Sequence, residues 1–323
     1  MPTTVNPTTG VAVAEYPAHT AKEIDDKLTA TRAAFEKWST RDVSERIGLL
    51  GEMARRLRAQ NENFAQLITL EMGKPIVEAR AEIEKCAKTL DFYAANAPNF
   101  LAFEEIKSNA SYSGAQYDPL GVVLAIMPWN YPFWQFFRFA APALAAGNGA
   151  VLKHASNVLG CSLAMQEVVD EALEAVNGPP GLFNTLLIRS SEVKAIIEDD
   201  RIAAVTLTGS TEVGALVASQ AAAVVKKQVL ELGGSDAFLV LDDADVELAA
   251  TTAVNSRFTN NSGQSCVSAK RFIVVESVAD EFVKLFAEKT AQLVTGDPQK
   301  DATQIRAFGP TGCAGNFEIT SGE

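Results

Sequence analysis

Cysteine is scarce in this sequence and basic charge is in deficit. Four cysteines stand far apart among 323 residues, Cys86, Cys161, Cys266 and Cys313, with no Cys-x-x-Cys pair. That argues against a zinc site, and no metal is expected. Lys and Arg number 28 against 40 Asp and Glu, a net charge of −12. A nucleic-acid binder usually carries a basic face, so that class of partner is set aside. An anionic ligand is still allowed, because backbone amides and single lysines can outweigh the global field. No apolar run is long enough to span a bilayer, and no apolar segment follows a basic start, so neither a membrane partner nor a signal peptide is expected. Internal repeats and low-complexity linkers are also missing. The remaining picture is a soluble chain, 47% hydrophobic and 21% charged, with an ordinary globular composition. Its expected place is the cytoplasm, with Cys86, Cys161 and Cys313 as reduced, mostly buried thiols.

The length allows one large domain or two. Residues 21–96 read as helical. Thr20 is a candidate N-cap, and Ile24, Leu28, Thr31, Ala34, Phe35 and Trp38 recur at helical spacing. Residues 111–118 look like an exposed strand or hairpin arm. Short apolar runs then follow at 122–126, 150–152, 185–188, 204–207 and 237–241, with helical segments between most of them. Such alternation predicts an α/β fold, a parallel sheet covered on both faces. A further strand begins at Arg271, an amphipathic helix is expected over 279–293, and Gly296-Asp297-Pro298 is expected to end it.

The run Phe258-Thr259-Asn260-Asn261-Ser262-Gly263-Gln264-Ser265-Cys266 brings a cysteine after a loop of small and polar residues. A thiolate is a strong nucleophile, favoured by a nearby helix N-terminus or positive charge. A lone cysteine is more often a small buried hydrophobe. Glu231, 35 positions upstream and followed by Leu232-Gly233-Gly234, reads either as a general base in a partly apolar site or as a solvated strand-end acid. Asn130 follows the strand ending at Ile126. Its amide could donate to a developing oxyanion together with the Cys266 N–H, or it could serve only a turn. Lys153 follows another short strand and could hold ribose hydroxyls or a phosphate, or be solvated. Gly209-Ser210-Thr211-Glu212-Val213-Gly214 leads from a strand into a helix, the form of a backbone phosphate site.

These motifs occur in one order: Pro128-Trp129-Asn130-Tyr131-Pro132, Leu152-Lys153-His154-Ala155-Ser156, Thr208 to Gly214, Glu231 to Gly234, and Gly263-Gln264-Ser265-Cys266. Together they resemble the aldehyde dehydrogenase superfamily over the chain as far as Ile305. Glu71-Met72-Gly73-Lys74-Pro75 and Gly233-Gly234-Ser235-Asp236 are most similar to its bacterial succinate-semialdehyde dehydrogenases. The resemblance implies a Rossmann-type cofactor domain over 1–233, with an oligomerisation arm near 111–118, and an incomplete α/β catalytic domain over 234–305. It implies catalytic roles for Cys266, Glu231 and Asn130, and cofactor contacts from Met127, Pro128, Trp129, Lys153, Ser156, Gly209, Ser210, Gly214 and Leu232. The aldehyde would form a thiohemiacetal on Cys266, lose hydride to the nicotinamide, and leave as the acid after Glu231 activates water. Many NAD-dependent members carry a glutamate where this chain has Ser156. A carboxylate repels a 2′-phosphate and a serine can donate to it, so NADP is the expected cofactor, with NAD possible. Arg138, eight residues after Asn130, matches an arginine that such enzymes use for the succinate semialdehyde carboxylate. The rival readings are a broad-specificity aldehyde dehydrogenase and an inactive cofactor-binding remnant. The resemblance implies a homo-oligomer for the full-length family.

Two departures from the resemblance stand out. The interval from Glu231 to Cys266 is one residue longer than usual, with the extra residue expected within Asn260-Asn261-Ser262. A later Glu-x-Phe-Gly-Pro motif and the C-terminal oligomerisation segment are missing. The glycine-rich stretch from Arg306 to Glu323 loses the pattern and is read as an aberrant tail, frameshifted and ended at a premature stop.

Overall fold

The computed structural model describes residues 3–307. A short antiparallel pair, β1 (Thr3–Val5) and β2 (Ala12–Glu15), precedes four helices: α1 (Ala21–Trp38), α2 (Val43–Ala59), α3 (Asn61–Met72) and α4 (Ile76–Phe100). A small exposed hairpin, β3 (Glu104–Glu105) with β4 (Gly114–Ala115), lies within and before the expected arm. Then come β5 (Val122–Met127), α5 (Pro132–Ala145), β6 (Gly149–His154), α6 (Leu159–Ala175), β7 (Phe183–Thr185), α7 (Val193–Glu198), β8 (Ile202–Thr208), α8 (Thr211–Ala223) and β9 (Lys227–Glu231). The chain continues through β10 (Ala237–Val240), α9 (Val246–Val254), β11 (Arg271–Val274), α10 (Glu276–Ala291), β12 (Thr295–Gly296) and β13 (Ile305–Arg306).

Thr20 starts α1 as its sequence suggests. Its hydroxyl accepts from the Glu23 N–H, and the Glu23 carboxylate accepts from the Thr20 N–H at 2.7 Å, a reciprocal capping box. The apolar stripe of α1 is buried from Leu28 to Trp38. Trp38 is fully buried, and its indole N–H donates to the Leu144 carbonyl at 2.9 Å, tying α1 to the end of α5.

The main sheet runs β7-β6-β5-β8-β9, with every adjacent pair parallel. From β5 the chain winds outward to β7, then crosses back to β8 and winds outward the other way. Strand order therefore reverses between β5 and β8, where open α/β sheets bind ligands beyond the strands' carboxyl ends. Residues alternate between faces. Val122 and Leu124 of β5 join Val205 and Leu207 of β8 in a core with α7 and α8, while Ala125 and Met127 face a larger core with α2 to α6. Beyond this sheet, β10 pairs in parallel with β11, and Val240, Ala250, Ala253 and Phe282 form a separate small core with α9 and α10.

Three expectations change. The strand expected over 185–188 is Phe183–Thr185. Leu186 makes one more bond to Leu152, but Leu187 is already engaged by the N-terminal segment, accepting from the His19 N–H at 2.9 Å and donating to its Nδ1 at 3.2 Å. Leu186 and Leu187 are both buried, a pattern that the period alone does not distinguish from a strand. The edge strand β9 adds to the expected strands; Lys227-Gln228 breaks its apolar pattern, and most of its residues are exposed. Helix α10 ends at Ala291, before Gly296-Asp297-Pro298, because Thr295 and Gly296 pair with Ile305 and Arg306. The aberrant tail expected over 306–323 begins in β13, and from residue 308 onward it lies outside the described residues.

Trp38→Ala should destabilise the fold by about 3–5 kcal/mol, through a large cavity and the loss of the indole hydrogen bond that ties α1 to the Leu144 carbonyl. Trp38→Phe should cost less. Urea unfolding of the three proteins measures both.

Candidate active site

The carboxyl ends of β5, β8 and β9 open onto a cavity of about 370 Å³. Pro128, Trp129 and Asn130 enter it from β5, Gly209 and Ser210 from β8, Leu232 from β9, and Cys266 from the loop after Gly263. The Cys266 thiol is exposed, whereas Cys86 and Cys161 are fully buried and burial pushes their thiols well above the ordinary range. Cys313 lies outside the described residues. No helix begins at Cys266; the positive charge near it comes from Lys270, which donates to the Cys266 carbonyl at 3.2 Å and to that of Gly234.

A buried polar network holds this cavity's walls. Asn130 Nδ2 donates to the Gln264 carbonyl at 2.9 Å, so the candidate oxyanion donor already touches the cysteine loop. Asn261 Nδ2 donates to the carbonyls of Asn130 at 2.6 Å and Gln264 at 3.1 Å, and the Tyr131 hydroxyl donates to Asn260 Oδ1 at 2.6 Å. From α4, Glu78 accepts the Asn261 N–H at 2.5 Å. Glu82 Oε1 accepts the N–H groups of Phe133 and Trp134 at the start of α5, both at 2.9 Å, and Oε2 pairs with Lys74. Lys74 is fully buried and sits 3.7 Å from the Tyr131 ring centroid. Burial pulls its pKa down, opposed by Glu82. Burial also pushes Tyr131 up to about 12.

Sequence reasoning did not find Lys74, Glu78, Glu82 or Asn261 as site residues. One signal was available: Glu82 falls in the buried stripe of α4 beside Ala79, Ile83 and Cys86. An acid in an apolar stripe needs buried partners.

The other expected cofactor residues occupy two places. Ser210 caps α8, its hydroxyl accepting the Val213 N–H at 3.3 Å, while the Gly209 N–H is already bonded to the Glu231 carbonyl at 3.0 Å. Gly214 packs under Leu232, whose side chain would lie 2.5 Å from any added Cβ. Lys153 and Ser156 line a second cavity, about 610 Å³, together with Pro17, Leu187 and Arg189. Burial lowers the Lys153 pKa, and burial pushes its neighbour His154 down to about 4. Arg189 is a second basic side chain on this cavity that sequence reasoning missed. Met127 is buried at the end of β5.

Glu231 and Arg138 sit elsewhere. Both line a groove of about 600 Å³ between α5 and β8–β9, their charged ends 3.6 Å apart, with Arg138 donating to Thr208 Oγ1 at 3.1 Å. Of the two settings open to Glu231, a partly apolar site and a solvated strand end, the structure has the second. Its side chain is 55% exposed, because it ends an edge strand. The groove and the Cys266 cavity meet end to end, Met127 and Glu231 lining one and Pro128 and Leu232 the other.

Glu78 makes the site pH-sensitive. Burial raises its pKa from 4.5 to about 7, against the Asn261 N–H and Lys74, which lower it. Its contribution to stability is therefore full below pH 4.5 and is lost as pH rises through 7. Between pH 5 and pH 8 the wild-type chain should lose on the order of 2 kcal/mol relative to Glu78→Gln. Denaturant unfolding of both proteins at the two pH values checks this.

Among the described residues no helix is long and apolar enough to cross a membrane, and no group of His, Cys, Asp and Glu could hold a metal ion. Comparison with known proteins gives close relatives. A probable succinate-semialdehyde dehydrogenase [NADP(+)] from Synechocystis is 48% identical over 302 residues, covering 94% of this chain and 65% of the relative. The Escherichia coli protein named succinate semialdehyde dehydrogenase [NAD(P)+] Sad is 44% identical, covering 95% and 64%. The chain thus spans just under two thirds of these relatives' lengths. A crystal structure of succinic semialdehyde dehydrogenase from Streptococcus pyogenes, in complex with NADP+, superposes with a TM-score of 0.90 at 34% identity, covering 94% of this chain and 66% of that one. The aldehyde dehydrogenase family model matches residues 2–311. A match across nearly the whole sequence, on a fold shared with solved members, means that this chain belongs to the aldehyde dehydrogenase family.

Proposed function

We propose that the protein oxidises succinate semialdehyde to succinate with NADP, through covalent catalysis at Cys266. The observation that carries this reading is the exposed Cys266 thiol sharing one cavity with Asn130 at the switch point of the sheet. In this reading the Cys266 thiolate adds to the aldehyde carbon, and the carbonyl electrons move to oxygen. The Asn130 amide and the Cys266 N–H stabilise that oxyanion. When bound, NADP supplies the hydride acceptor that turns the thiohemiacetal into a thioester. Water then breaks the thioester, releasing the acid and the free thiol. Glu231 is the general base for that water, and it must turn from Arg138 toward the cavity that Leu232 lines.

The residues present fit the dinucleotide. The N-terminus of α8, which follows Gly209 and the Ser210 cap at the cavity wall, suits a phosphate. Lys153, Ser156 and Arg189 around one cavity suit an adenosine ribose carrying a 2′-phosphate. The names of the relatives favour the same cofactor and substrate. Residues 1–233 are read as the cofactor-binding unit, and 234–305 as part of the catalytic unit, a division that the separate core around Val240 and Phe282 supports.

The test is NADP reduction by the purified chain with succinate semialdehyde, with NAD in parallel. Cys266→Ala should abolish turnover, by at least about a thousandfold, with NADP affinity within twofold of wild type. Turnover that survives Cys266→Ala would overturn the mechanism. Arg138→Ala should raise KM for succinate semialdehyde at least about tenfold and leave KM for an uncharged aldehyde nearly unchanged. Equal effects on both would remove Arg138 from substrate recognition.

A further inference from the structure

The loop before Cys266 is built on an unusual backbone. Asn261, Ser262 and Gly263 have φ of 56°, 51° and 76°, three left-handed residues in succession. Only glycine, and to a lesser degree Asn and Asp, adopts this conformation readily. At Gly263 an added Cβ would lie 2.6 Å from the Arg257 carbonyl oxygen, so a side chain is excluded there. The segment overlaps Asn260-Asn261-Ser262, where the extra residue is expected, at Asn261 and Ser262. A backbone of this kind persists only when its surroundings hold it.

Among the contacts that hold it is a half-buried carboxylate on α4, Glu78, beside the Arg306 N–H that donates to Ser262 Oγ at 3.3 Å. Asn261 is fully buried. Its main-chain N–H has the Glu78 carboxylate as acceptor, at 2.5 Å, and its side-chain amide bridges the Asn130 and Gln264 carbonyls. Pulling on Asn261 therefore moves both the cysteine loop and the turn carrying the oxyanion donor. Glu78 itself faces Lys74 and Glu82, and through them Tyr131, whose hydroxyl meets Asn260 on the same loop. No residue of this α4 face lines the Cys266 cavity.

We propose that Glu78 is a positioning residue: by accepting the Asn261 N–H it locks the left-handed turn that sets Cys266 against Asn130. The proposal rests on the reading of Cys266 as the nucleophile. Its consequence is that reactivity at Cys266 is controlled from the first turn of α4, behind the wall of the cavity.

The test compares the full chain with Glu78→Ala, which has no acceptor, and Glu78→Gln, which keeps a carbonyl acceptor without the charge. Hydrogen exchange by mass spectrometry reads residues 258–266, and peptide mapping reads the rate of iodoacetamide alkylation at Cys266. Glu78→Ala should speed exchange in that segment at least tenfold and change the alkylation rate at least threefold, with the interior of α4 still protected. Glu78→Gln should restore both to within about twofold of wild type. In the turnover assay, kcat should fall at least tenfold in Glu78→Ala while KM for NADP holds within twofold. Wild-type exchange and alkylation in Glu78→Ala would overturn the proposal, as would Glu78→Gln behaving like Glu78→Ala. If Glu78→Ala does not fold, the wild-type Asn261 amide decides: protection supports the lock, and exchange at the rate of a free loop overturns it. Exchange and alkylation need no turnover, so an inactive wild-type chain would count against the proposed function without deciding the role of Glu78.

Discussion

Burying Glu82 obliges the fold to satisfy both of its carboxylate oxygens, and the site is arranged around how it does so. One oxygen caps the start of α5 and the other pairs with Lys74. An unpaired charge at this depth would cost several kcal/mol, so removing either partner is far worse than the pair's modest net value. The cap fixes where α5 begins and therefore where Asn130 and Tyr131, just before it, must lie. Lys74 in turn packs on Tyr131, which reaches the cysteine loop through Asn260. Glu78, one turn earlier on α4, takes the same loop by its backbone. Two acids four residues apart on one helix thus face the two segments that form the cavity wall.

The sheet contributes the other constraint. Strand order reverses between β5 and β8, so the helices that follow them leave in opposite directions and a crevice opens at their carboxyl ends. Cys266 reaches that crevice from a segment more than fifty residues beyond the crossing, which is why the loop needs its own buried supports. Glu231 reaches the same end of the sheet on the edge strand, but its carboxylate turns to Arg138. The edge position leaves it solvated and able to reorient at low cost, since exposed ion pairs are worth little.

Much of the framework was legible in the sequence because it is local. The Thr20-to-Glu23 capping box, the stripe through Leu28 and Trp38, and the apolar strands at 122–126 and 204–207 depend on residues a few positions apart. The misses came where distant chain segments compete for the same residues. Leu187 looks like strand but is held by the N-terminal segment at His19. Lys227-Gln228 look unlike strand but sit on an edge where one side is wet. Arg189 lies 33 positions from Ser156 and shares a cavity with it only because β6 and β7 are adjacent.

By itself the sequence determined the fold class, the family, and the candidate nucleophile, base and oxyanion donor, because short motifs carry both their chemistry and their local backbone. Only the tertiary structure decided which of those residues share a cavity. Cys266 and Asn130 do; Glu231 and Arg138 face the neighbouring groove. It also decided that Lys74, Glu78, Glu82 and Asn261 belong to the site at all. Their role depends on burial and on hydrogen bonds spanning up to 183 positions, and no spacing rule read along one chain encodes partners that far apart.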